Sequence, residues 1–327
     1  MTEPRYPRVI LASVGIPWDE RGEVIEDLFR DEVRAHLEAG INHLYIFGTA
    51  GEGYAVTDRQ FDAIAGLFID EMRASGGGSP DVTPMIGVIN QSTRTIIERI
   101  ERAIDLGASA FQISLPNWGA LNDRELATFF AEVVGRFPKA RFLHYNLQRA
   151  GRVLNPPEYA RLAGEHENFV GAKNGTSSVV MLHDLLTQAP AIRQFYTELG
   201  YPQGCQVGAP GYLMSLTTMN MALGQRFFRA GIERDWQTLF GIQAESLDIL
   251  ELLVGGGGAE VGSSAFPGAK AHMDGAFEKL LAKVHDPRFP LRLLPPYQST
   301  SDAAYEAFVA NVRERLPHWL PAAPVHA

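Results

Sequence analysis

Asn168-Phe169-Val170-Gly171-Ala172-Lys173-Asn174-Gly175 reads as a short buried strand that closes on a lysine, and apolar residues at three- and four-residue spacing follow it over 179–186. The two together form one strand-then-helix unit. The same unit recurs along the chain. Strand-like runs at 9–14, 43–47, 85–88, 110–115, 141–145, 169–173, 192–196 and 212–216 alternate with helix-period segments at 24–37, 59–72, 93–106, 123–134, 157–163, 179–186, 203–207 and 221–230. Strands each followed by a helix predict parallel pairing through right-handed crossovers. Eight such units predict a closed (β/α)8 TIM barrel over residues 1–231 rather than an open sheet. From 232 to 327 the pattern changes to three helical segments, 236–253, 269–284 and 301–316, which predict a C-terminal helical extension. The tetraglycine 255–258 lacks the lysine and Ser/Thr of a phosphate loop and reads as a flexible connection.

Composition narrows the function classes. The 327 residues are 46% hydrophobic and 20% charged, enough to bury a large core. A formal charge of -9, with no cluster of Lys or Arg, argues against nucleic acid and anionic membranes as partners. No run approaches the roughly 20 apolar residues of a membrane helix, and the N-terminus carries no cleavable leader pattern, so a cytoplasmic location is expected. The single cysteine, Cys205, rules out an internal disulfide, and no Cys/His spacing of the zinc-site type occurs, so no metal is expected.

Lys173 is one of five lysines. Lys139 lies beside Pro138 at the end of a helix-like stretch. Lys270, Lys279 and Lys283 fall in a helical, partly charged segment where a solvated ammonium costs little. Only Lys173 is set inside an apolar run. Burial disfavours the charged form of a lysine, and a neutral amine attacks carbonyls. The other reading is a strand-end lysine reaching solvent.

A barrel of this kind carries its site at the C-terminal ends of its strands. There the second strand ends in Gly48-Thr49-Ala50-Gly51-Glu52-Gly53, the fourth in Leu115-Pro116-Asn117-Trp118, the fifth in Tyr145-Asn146 and the sixth in Lys173. Glycines let backbone N–H groups approach a carboxylate closely, although such a turn also serves structure alone, and Glu52 also reads as a helix N-terminal charge. His144 alternates with Tyr145 and should face away from the site. Lysine, tyrosine and a glycine-rich cradle together suit a Schiff base with a 2-oxo acid, the iminium acting as electron sink for the adjacent C–C or C–O bond. Tyr145 would move protons; its alternative is a packed ring with a locally bonded hydroxyl.

In combination, Gly40-Ile41, Gly48-Thr49-Ala50-Gly51-Glu52, Gly107-Ala108, Tyr145-Asn146, Gly151-Arg152-Val153-Leu154 and Gly171-Ala172-Lys173 resemble the class I lyases that include dihydrodipicolinate synthase and N-acetylneuraminate lyase. The resemblance spans nearly the whole chain. It implies a (β/α)8 barrel with a helical extension, usually a homotetramer, and no organic cofactor. It gives Lys173 the role of Schiff-base lysine, Tyr145 that of proton-transferring phenol, and Thr49 that of a hydroxyl relay. Gly48, Ala50 and Gly51 are expected to form the carboxylate cradle.

Three departures bear on the substrate. Ala50 replaces a hydroxyl residue, leaving an N–H but no side-chain donor. The segment Leu147-Gln148-Arg149-Ala150 is one residue shorter than in the synthases, and Arg149 either reaches the substrate carboxylate or is solvated. Asn117 and Trp118 stand where synthases place paired tyrosines; an indole has a donor but no acceptor and cannot relay a proton. Trp118 reads either as an interface or core residue, or as an apolar wall like that of hydratase-aldolases that cleave arylidene pyruvates. The expectation is an aldolase or hydratase-aldolase acting on a 2-oxo acid such as pyruvate, with an aldehyde partner. The alternatives are dihydrodipicolinate synthase itself and a non-catalytic 2-oxo acid binding protein.

Overall fold

The computed structural model describes residues 3–77, 79, 81–176, 178–255 and 274–321. Lys270 and the glycines at 256–258 therefore lie outside the described residues, as does the start of the second helical segment of the extension. Eight parallel strands close into a barrel in sequence order: β1 (Ile10–Ser13), β2 (His43–Ile46), β3 (Thr83–Gly87), β4 (Ala110–Ile113), β5 (Arg141–Asn146), β6 (Phe169–Asn174), β7 (Arg193–Tyr196) and β8 (Gly211–Met214). The crossover helices are α1 (Glu26–Glu38), α2 (Asp58–Ser75), α3 (Thr93–Asp105), α4 (Asp123–Phe130), α5 (Pro156–Glu165), α6 (Val179–Gln188), α7 (Tyr201–Val207) and α8 (Met221–Glu233). The extension supplies α9 (Trp236–Gly255), α10 (Asp274–His285) and α11 (Asp302–Arg315). The (β/α)8 barrel and its helical extension are thus as the sequence rhythm predicts.

Local chemistry fixes where several helices begin. Thr57, Asn122 and Asn155 each accept from the backbone three residues on, and Gln60, Glu125 and Glu158 reach back, so α2, α4 and α5 open on reciprocal caps. The continuation of α4 that the sequence predicts through residue 134 widens into a single π-turn, Ala131–Gly135.

Strand register determines which side chains share a level inside the barrel. Start at Leu44, pass to the next strand's partner and advance one residue at each strand. The circuit runs through Met85, Phe111, Leu143, Ala172, Phe195, Tyr212 and Leu11 and returns to Leu44. On alternate strands the residues one position above this circuit face inward and form one layer: Tyr45, Gln112, Lys173 and Leu213. The layer below, from the other strands, is apolar: Leu11, Met85, Leu143 and Phe195, all buried. The layer above holds Ser13, Gly87, Tyr145 and Thr197. Lys173 therefore stands one level below Tyr145, on an apolar floor.

The extension is fastened to the barrel through α1. Leu28 packs with Ala282 and Phe289, and Arg288 bridges Asp31 and Asp286. Buried between these elements are Glu32, His36, His285 and Asp286. Burial, with Asp286 nearby, pushes the Glu32 carboxyl up to about 8, and burial pulls His36 down to about 4. Folded Glu32 keeps its proton where the unfolded chain releases it, so its contribution to stability falls as pH rises from about 4.5 to 8. His36 acts in the opposite sense from about 4 to 6.5, which leaves Glu32 unopposed from 6.5 to 8. Across those 1.5 units the protein should lose about 2 kcal/mol. Urea unfolding at the two pH values should find this loss in the unsubstituted protein and a much flatter profile in Glu32→Gln; equal losses would mean another group is responsible.

Candidate active site

The cradle is shaped by a sharp reversal at the end of β2. Phe47 takes a positive φ of 57°, and the chain folds back over its own backbone. A Cβ at Gly51 would sit 2.6 Å from Phe47 N, and one at Gly53 would sit 2.2 Å from Phe47 O. Those glycines are required by close approach. Gly53 N donates to Gly48 O and Glu52 N to Thr49 O, while the N–H groups of Ala50 and Gly51 make no backbone hydrogen bond among the described residues. Donors left over in a buried loop suit an anionic ligand.

Lys173 projects from β6 into the barrel and is only 8% exposed. It does not reach solvent as a strand-end lysine would. Its Nζ lies 2.8 Å from the Tyr45 hydroxyl, which crosses the interior from β2 on the opposite wall. The same Nζ stands 3.8 Å from the centre of the Tyr145 ring and 5.0 Å from that of Tyr45. The face of the Tyr145 ring and the hydroxyl of Tyr45 thus flank the amine and fix its position. Burial holds the Tyr45 hydroxyl well above its ordinary pKa, so it is a neutral phenol able to donate or accept. Tyr45 was not among the residues singled out in the sequence. Both faces of a parallel strand are buried, so alternation alone does not tell which side of His43-Leu44-Tyr45-Ile46 faces the axis.

His144 faces outward as expected. Its Nδ1 is 2.8 Å from the Tyr159 hydroxyl, and burial pulls its pKa down to about 3, leaving it neutral and outside the site. Asn146 also serves structure: its amide bonds Leu154 O and Asn174 Oδ1, and it accepts from Leu154 N.

At the mouth, a cavity is lined by Thr49, Ser114, Asn117 and Arg149, with Tyr54 and Tyr297 in edge-to-face contact on its rim. The structure therefore brings Thr49 and Arg149 to one cavity, with Lys173 and Tyr145 in the barrel interior rather than in its lining. Trp118 lies apart, 88% exposed and outside the lining, while its neighbour Asn117 is part of it. Among the described residues no group of His, Cys, Asp and Glu is arranged to hold a metal ion. No helix among them is long and apolar enough to cross a membrane.

Two assignments change. Lys279, read as solvated, is fully buried, and Glu52 is far more than a helix-terminal charge. Their side chains meet at 2.7 Å. Trp18 Nε1 also donates to Glu52 Oε1 at 2.7 Å, Leu294 N donates to its other oxygen at 2.6 Å, and Lys279 donates to the Ile16 and Arg292 carbonyls. Burial lowers the Lys279 ammonium to about 8 against the pull of Glu52. The periodicity of α10 was legible; the acid waiting 227 positions earlier for this lysine was not.

The sequence pattern of the Dihydrodipicolinate synthetase family matches residues 6–258, and the chain belongs to that family. The 4-hydroxy-tetrahydrodipicolinate synthase of Exiguobacterium sibiricum is 24% identical over 251 residues, 74% of this chain and 80% of the relative. The corresponding Coxiella burnetii protein is 26% identical over 175 residues, 54% of this chain and 58% of its own length. The match to the Exiguobacterium sp. synthase likewise spans 59% of that relative, at 22% identity over 55% of this chain. Among solved structures, YagE, an E. coli prophage protein of the dihydrodipicolinic acid synthase family in complex with pyruvate, has a TM-score of 0.81 at 17% identity, covering 94% of this chain and 98% of its own. CdNal from Clostridium difficile, in complex with mannosamine, has a TM-score of 0.77 at 15% identity over 94% and 99%. At these identities the structural likeness speaks to the fold.

Removing one member of the Glu52–Lys279 pair strands a buried charge, which costs about 3–5 kcal/mol. Lys279→Met should show that loss in urea unfolding, and adding Glu52→Gln should recover much of it. A loss below about 1 kcal/mol in the single variant would mean that solvent reaches Glu52.

Proposed function

We propose that this member of the dihydrodipicolinate synthetase family is a Schiff-base-forming lyase acting on a 2-oxo acid such as pyruvate. The observation that carries the reading is the position of Lys173 Nζ, inside the barrel between the phenols of Tyr45 and Tyr145. In this reading the amine adds to the C2 carbonyl, the carbonyl oxygen leaves as water, the iminium takes up the electron pair of the C3–H or C3–C bond that breaks, and the enamine so formed returns that pair to the aldehyde carbon or proton that takes its place. The backbone N–H groups of the 48–51 loop bind the carboxylate, and Tyr145 carries protons with Thr49 as relay. Arg149, which lines the mouth cavity, would meet the substrate carboxylate in this reading.

An aldolase or hydratase-aldolase is preferred within the family because Ala50 lacks a hydroxyl and Trp118 lacks an acceptor for a proton relay. The names of the sequence relatives favour the second reading, a synthase making 4-hydroxy-tetrahydrodipicolinate. The exposed indole of Trp118 supports a role completed by a ligand or another subunit. A homo-oligomer, a tetramer by family resemblance, and a cytoplasmic location belong to the same proposal. Val179 and Val180 on α6 and Leu247 on α9 are exposed apolar side chains that an assembly would cover.

Borohydride with pyruvate should add a stable mass at Lys173, read by peptide mass spectrometry, because an iminium is reducible and an ionic complex is not. Labelling at another lysine, or none with any 2-oxo acid, would sink the mechanism. Turnover with a panel of aldehydes then separates enzyme from binding protein, and formation of 4-hydroxy-tetrahydrodipicolinate would select the synthase reading.

Tyr145→Phe removes one hydroxyl and keeps the ring. Turnover should fall by roughly 10² to 10⁴ with stability little changed. An unchanged rate in a folded variant would return Tyr145 to a packing role.

A further inference from the structure

Gln112 is fully buried on the inward face of β4, and neither its Nε2 nor its Oε1 has a hydrogen-bond partner among the described residues. Register places it in the same layer as Lys173 and Tyr45. A dry, unpaired carboxamide is costly and is normally satisfied by water or ligand. Above this layer Gly87 contributes no side chain, because a Cβ there would lie 2.5 Å from Phe47 O. The Phe47–Gly48 backbone thus folds down over Gly87 onto the layer below. A Cβ at Gly48 would meet Tyr45 Cε2 at 2.7 Å and Gln112 Nε2 at 3.2 Å. The amide of Gln112 therefore lies against the underside of the carboxylate cradle, on the level of the lysine. Ala50 gives that cradle a backbone N–H and no side-chain donor.

We propose that Gln112 is a substrate-binding residue, its Nε2–H donating to the carboxylate of the 2-oxo acid held by the 48–51 loop and Lys173. The proposal rests on the Schiff-base reading above and extends it to a residue on a different strand. A carboxamide can turn either end toward a ligand. An anion selects the NH2 end, and the unpaired state of both ends leaves the group free to respond. The bond formed is charge-assisted and out of water, where it discriminates a carboxylate from an uncharged isostere.

The test measures the concentration of pyruvate, and separately of pyruvamide, that gives half-maximal initial borohydride trapping at Lys173. The unsubstituted protein is compared with Gln112→Leu and with Gln112→Met, whose unbranched chain is the safer replacement if leucine disturbs packing. Thermal unfolding should be unchanged or raised, since an unpaired buried amide has been replaced by an apolar group. Half-saturation by pyruvate should rise about tenfold or more, the factor expected for a hydrogen bond to a charged group. Pyruvamide should shift far less. Unshifted pyruvate, or equal shifts for pyruvate and pyruvamide in a folded variant, would overturn the role of Gln112 while leaving Lys173 trapping intact. Absence of trapping in the unsubstituted protein would instead overturn the Schiff-base reading, and this proposal with it.

Discussion

The buried ion pair between Glu52 and Lys279 is the constraint on which the arrangement of the site depends. Glu52 belongs to the cradle loop, and Lys279 to a helix of the extension more than two hundred residues later. Two charges removed from water repay their desolvation only when every remaining polar atom is also bonded. Here Trp18, Leu294, Ile16 and Arg292 complete both groups. The result fixes the loop after β2 against the loop after β1 and against the extension at once. The backbone reversal at Phe47, with its positive φ, is held in place by the same attachments. The extension is therefore part of the site's scaffold rather than an appendix, and it also supplies Tyr297 to the mouth.

Inside this frame the barrel is layered by polarity. An apolar floor of Leu11, Met85, Leu143 and Phe195 excludes water from below. Above it, three of the four residues in the next layer, Tyr45, Gln112 and Lys173, are polar and carry little or no exposure. A neutral phenol, that of Tyr45, gives Lys173 a hydrogen-bond partner in the barrel interior without the desolvation cost of another ion. Tyr145 stands one level higher, where its ring covers the amine from the side that faces the cradle and the mouth.

The charge cluster at the α1–α10 junction follows the same physics with a different outcome. Glu32 has Asp286 beside it, so burial and like charge both favour its protonated form. His36 is pushed to its neutral form by burial. Glu32 and His36 therefore pack as neutral groups beside the Arg288 bridge to Asp31 and Asp286. The Glu32 carboxyl acts on stability between about 4.5 and 8, whereas the buried Lys279 ammonium acts from about 8 upward.

The barrel was legible from sequence because eight repeats of a strand period followed by a helix period leave few alternatives, and each observed strand falls within two residues of its expected limits. Lys173 was legible because an ammonium inside Phe169 to Ala172 violates the composition of a buried strand. Tyr145 and the 48–53 loop followed from their positions at strand ends, as did the outward turn of His144. The partners of these groups were not legible. Tyr45 and Gln112 reach Lys173 and the cradle only because barrel closure brings β2, β4 and β6 onto one level, and strands buried on both faces give no sign of which side faces the axis. The placing of Lys279 in solvent failed for a related reason: a helix pattern gives the direction of a side chain relative to its own helix, not the charge it will meet. Local periodicity determined the elements and singled out the amine. Closure of the barrel, which sets distances between residues far apart in the chain, decided what surrounds it.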